Sequence, residues 1–97
     1  MGVKYGRAYT EILRDLSQAI QRVRHFYDFI QMKEQEWRML DEKERSECVK
    51  TLADDVFYAL GHHRSFRIGA GRVQYIRHKH IIIVQDGDNV VTIVNLV

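Results

Sequence analysis

From Tyr9 to Ile30 the large apolar residues return at spacings of four and three: Tyr9, Leu13, Leu16, Ile20, Val23, Tyr27 and Ile30. That is the period of one stripe along an α-helix, and Ile12, Ala19 and Phe26 widen it to a broad face. The pattern predicts a helix from Ala8 to Arg38. Such a helix crosses the whole molecule, pairs with a partner, or breaks between Gln31 and Glu36. A second helix is marked at both ends. Asp41 can cap the free amides of a first turn, and Glu44 sits where a capping-box carboxylate reaches back. Cys48, Val49, Leu52, Ala53, Val56, Phe57 and Leu60 then recur at helical spacing, with Cys48 expected as a small buried residue. Gly61 follows where a left-handed C-terminal cap favours glycine. The second helix is therefore predicted over Glu42 to Leu60, forming an antiparallel hairpin with the first.

Beyond Gly61 the period becomes that of strands, predicted at Ser65 to Ile68, Arg72 to Arg77, His80 to Gln85 and Val90 to Leu96. The third reads Ile-Ile-Ile-Val, apolar on both faces, as a central strand covered on both sides would be. Asp86-Gly87-Asp88-Asn89 suits a hairpin turn. Every connection is too short for a crossover. The expected fold is α+β, a helical hairpin over residues 8–60 packed on a four-stranded antiparallel meander over 64–97, in one domain spanning 1–97.

Composition adds little to the fold and something to the function. The 97 residues are 45% hydrophobic and 29% charged, as in an ordinary globular domain. No apolar run approaches a membrane span, and no secretory leader is recognisable at the N-terminus. With a single cysteine, Cys48, the expected location is the cytoplasm and no internal disulfide can form. Net charge is only +2, but it is unevenly distributed. From Val56 to Gln85 there is no acidic residue, while Arg64, Arg67, Arg72, Arg77 and Lys79 fall there with His62, His63, His78 and His80. This stripe is the candidate nucleic-acid-binding surface.

Gly69-Ala70-Gly71 lies inside the stripe, but a phosphate-cradling loop leads from a strand into a helix. Here a strand follows, so the glycines are expected to serve a hairpin turn or bulge. Arg67 and Arg72 would then flank the turn and bracket a phosphate, with Tyr75 offering a surface for a base. Histidines 62, 63, 78 and 80 do not combine with a third carboxylate or thiolate ligand, so no metal site and no cofactor is expected. Metal-independent RNA cleavage asks for less: a base, an acid, and cations around the phosphorane.

The segment Val56 to Val94, "VFYALGHHRSFRIGAGRVQYIRHKHIIIVQDGDNVVTIV", resembles the C-terminal half of small bacterial RNase toxins, the RelE-like proteins and their relatives in the barnase-like superfamily. The resemblance implies a metal-independent ribonuclease with its chemistry on the sheet. By position Arg67, Arg72, Tyr75 and Thr92 would be the counterparts, with His62 or His63 as acid or base. Three readings stand open: an RNA-directed protein of this type, a non-enzymatic nucleic-acid-binding regulator, and a protein-binding adaptor or inhibitor from a mobile element. The expected partners are accordingly RNA or an acidic protein, with no membrane. The length of the first apolar stripe, with Tyr5, Trp37 and Met39 near the helix ends, predicts a homodimer or hetero-complex through helix 1.

Overall fold

The Asp41 cap forms as its spacing predicts. Its carboxylate accepts from the Glu44 amide at 2.8 Å, and the Glu44 carboxylate accepts from the Asp41 amide at 3.0 Å. The helix so started, Glu42–Leu60, is the third of the chain. The structure, a computed structural model describing residues 2–97, runs α1 (Tyr9–Gln21), a 3-10 turn (Phe26–Ile30), α2 (Glu34–Met39) and α3 (Glu42–Leu60). Then come β1 (Ser65–Ile68), β2 (Gly71–Ile76), a one-turn 3-10 helix (Arg77–Lys79), β3 (Ile81–Asp86) and β4 (Asn89–Asn95). The strands form one antiparallel sheet in the order β1-β2-β3-β4. The fold is α+β, helices first and a meander after, with α1 and α3 packed on each other over one face of the sheet.

The first helix ends earlier than its apolar stripe suggests. A helix from Ala8 to Arg38 would be about 46 Å long, whereas the longest dimension of the molecule is 40 Å. The chain instead leaves the helix at Arg22, and His25 and Gln31 take left-handed backbone angles on either side of the 3-10 turn. The stripe still buries its residues. Ile12, Leu16, Ala19, Ile20 and Val23 are nearly inaccessible, and Phe26 and Tyr27 fold back beneath Trp37. The middle of the stripe is thus packed into the chain's own core, while Tyr9, Leu13 and Ile30 are half-buried at its edge.

Gly61 departs from expectation too. Its torsions are right-handed (φ −72°, ψ −21°), so no left-handed cap forms. What requires glycine there is proximity: an added β-carbon would stand 2.9 Å from the α-carbon of Gly2. The N-terminal segment crosses the end of α3 at this point. It continues along the sheet margin, where the Gly6 and Arg7 amides both donate to the Leu96 carbonyl, at 2.7 and 3.0 Å. Cys48 is half-buried, not fully enclosed, and desolvation pushes its thiol pKa up.

Strand alternation sorts the sheet into two faces. Ile68, Val73, Tyr75, Ile82, Val84 and Val94 point toward the helices and are buried. The other face is open. The Ile-Ile-Ile-Val strand is central, as expected, yet Ile81 and Ile83 are only half-buried, because every helix packs on the opposite side. β3 and β4 shift register between Val84 and Gln85, which leaves Val91 without a partner.

Candidate anion-binding site

Three separate parts of the chain deliver cations to one end of the sheet. The N-terminal segment brings Lys4, whose backbone amide donates to the Tyr75 hydroxyl at 3.2 Å. The corner between α3 and β1 brings Arg64, whose carbonyl accepts from the Tyr75 amide at 2.7 Å. The 3-10 turn between β2 and β3 brings Arg77 and His78, and His80 follows in a left-handed conformation (φ 54°) that ends the turn. Together with Tyr75 these side chains line an open depression of about 430 Å³. Lys4, Arg64, Tyr75 and Arg77 also line a smaller adjoining hollow of about 220 Å³ over Gly2, Leu60 and Gly61.

The charge is uncompensated. Neither hollow has a carboxylate in its wall. The ion pairs among the described residues use Arg7, Arg24 and Arg38, so Lys4, Arg64 and Arg77 have none. All three are exposed, as are both histidines, while the Tyr75 ring is buried at 6% exposure with its hydroxyl at the floor. Three permanent cations around a hydroxyl carry the charge and the hydrogen-bond donors that a phosphate or similar oxyanion would require.

The basic stripe of the sequence is thus divided. Arg67 and Arg72 are direct cross-strand partners on the open face, with the Arg72 guanidinium donating to Ser65 Oγ at 2.9 Å. Tyr75 lies on the opposite face from Arg72, so the two cannot bracket one phosphate and stack its base. Lys79 is exposed on the same 3-10 turn as Arg77 but outside the depression. His62 and His63 are exposed after α3, and His62 borders a different cleft of about 530 Å³ with Tyr5, Tyr9, Asp54 and Tyr58. Two carboxylates in that cleft, Asp54 and Asp55, make it unsuited to an anion. Thr92 pairs with Val84 on the helix side and lines a small hollow beside Asp15 and Arg22. The residues the toxin resemblance nominates therefore occupy four places and share no centre.

Lys4 is the member the sequence did not nominate. It enters only because the N-terminal segment is tied to Leu96 and to Tyr75, contacts that no local pattern announces. Among the described residues no three His, Cys, Asp or Glu side chains group as metal ligands, and no helix is long and apolar enough to cross a membrane. The chain matches no protein-family model, no curated protein and no solved structure. The likeness to toxin-type ribonucleases rests on the residues of segment 56–94 alone.

Proposed function

We propose that the protein binds the phosphate backbone of nucleic acid at the depression formed by Lys4, Arg64, Arg77, His78 and His80, with RNA the form the sequence resemblance favours. The observation that carries this reading is the convergence of these five side chains from distant parts of the chain, with no carboxylate in the wall they form. Phosphate contacts of this kind supply affinity and salt dependence without reading sequence. The buried Tyr75 ring offers no stacking platform, so the expected recognition is of the backbone and not of bases. Binding without cleavage is favoured by the dispersal of His62, His63, Arg67 and Thr92, none of which lines the depression.

The test is fluorescence anisotropy with a labelled single-stranded RNA in EDTA, at about 50 mM salt where such contacts are strongest. The parent protein should bind, and the Arg64→Ala, Arg77→Ala double variant should lose most of the affinity. Absence of binding by the parent would overturn the proposal. RNA cleavage in EDTA, abolished by His78→Ala or His80→Ala, would replace it with a ribonuclease that uses this depression.

A further inference from the structure

The open face of the sheet has a composition that solvent does not explain. Its cross-strand rows, read from the register, are Arg67–Arg72–Gln85–Val90, Ser65–Gln74–Ile83–Ile93 and Ile76–Ile81–Asn95. A solvated face of an antiparallel sheet alternates with the core face as polar against apolar. Here the centre is isoleucine from three strands, and Ile93 and Val90 are 51% and 56% exposed. At the β1–β2 corner two arginines stand directly opposite each other, an arrangement that is unfavourable between like charges. No residue in these rows is a carboxylate.

We infer that the open face docks a protein segment that is apolar along its length and carries carboxylates at the end lying over Arg67 and Arg72. The apolar centre asks for a protein surface, since isoleucine offers nothing to a phosphate and no aromatic ring is present in the rows for a base. The paired arginines set the segment's polarity, because a carboxylate between them would relieve their repulsion and accept bidentate hydrogen bonds. A second copy of this same face fits less well, because it brings two more arginines and no carboxylate to relieve their repulsion. The inference is independent of the proposed nucleic-acid site, which lies at the Lys4–Arg64–Arg77 end and uses none of these residues.

The probe is a pair of synthetic amphipathic peptides with one leucine stripe, one ending in two glutamates and the other in two lysines. Isoleucine-methyl NMR spectra of the full chain are recorded with each. The glutamate peptide should shift the methyls of Ile81, Ile83 and Ile93 at concentrations where the lysine peptide does not. The Arg67→Glu, Arg72→Glu variant, altered only at exposed positions, should reverse that preference. Three results would overturn the inference: no methyl shifts with either peptide, equal shifts that the charge reversal leaves unchanged, or shifts produced by raising the protein's own concentration, which would assign the face to a second copy. Shifts confined to residues around Lys4 and Arg77 would also overturn it while leaving the nucleic-acid proposal standing.

Discussion

Gly69 and His25 meet backbone to backbone, both in left-handed conformations (φ 55° and 58°). A β-carbon on Gly69 would collide with the carbonyl oxygens of His25 and Arg24, and next to it the Ala70 amide donates to the Arg24 carbonyl at 2.8 Å. The β1–β2 turn is thereby locked against the segment where α1 breaks. Gly69→Ala combines left-handed strain with a backbone clash and should cost about 2–4 kcal/mol. His25→Gly relieves strain at an exposed position and should fall within about 1 kcal/mol of the parent. Urea denaturation of the two variants checks the pair, and equal effects would refute the contact.

This contact also explains what could be read in the sequence. α3 was legible at its start because Asp41 and Glu44 close their hydrogen bonds within one turn. The strands were legible to within one residue because their apolar alternation and turn residues are local. The end of α1 was not, since the break is stabilised by Ala70, by Gly69 and by the Arg24–Asp86 ion pair at 3.2 Å, all more than forty positions away. Of the candidate site, Arg64 and Arg77 were visible as cations in an acid-free stretch, while Lys4 was not. The separation of Arg72 from Tyr75, by contrast, follows from strand parity alone.

Val84 and Ile83 are neighbours in β3 with opposite surroundings, fully buried against half-buried on the open face. Val84→Ala should cost on the order of 1–3 kcal/mol through lost burial and a cavity. Ile83→Ala should cost less, and His78→Ala, on the exposed turn, should be within about 0.5 kcal/mol of the parent. Thermal denaturation orders the three. A larger loss at Ile83 than at Val84 would mean the faces are inverted.

The Tyr9 hydroxyl donates to the Asp54 carboxylate, and its pKa lies well above the ordinary 10.0, through burial first and then the bond to Asp54. The folded chain therefore holds this proton where the unfolded chain releases it. Stability derived from the protonated phenol is fully present below about pH 10, the unfolded value, and declines as pH rises beyond it. Melting temperatures of the parent and Tyr9→Phe should differ by a constant amount up to that pH and converge above it. A gap that widens in alkali would contradict the raised pKa.

The opposed arginines have a consequence for the isolated chain. With no carboxylate beside them, Arg67 and Arg72 repel across the ladder, and Arg67→Thr should stabilise by about 0.2–1 kcal/mol at low salt. Raising ionic strength should shrink the gain, because both side chains are exposed and screened. Destabilisation by Arg67→Thr at low salt would show that the pair is already neutralised within the chain.

Salt dependence tests the proposed phosphate contacts residue by residue. Each phosphate neutralised on a single strand contributes about 0.7 to the slope of log K against log salt. If Lys4, Arg64 and Arg77 each meet one phosphate at the depression they line, replacing any one by alanine should lower the slope by about 0.7 and weaken binding similarly for all sequences. Arg67→Ala and Arg72→Ala should leave slope and affinity unchanged, since those side chains stand on the open face, away from the Tyr75 hydroxyl. The measurement is a set of RNA titrations between about 50 and 200 mM salt. A slope that falls with Arg67 and Arg72 and is indifferent to Arg64 and Arg77 would move nucleic-acid binding to the open face, and the isoleucines there would then have to be explained by contact with something other than a protein.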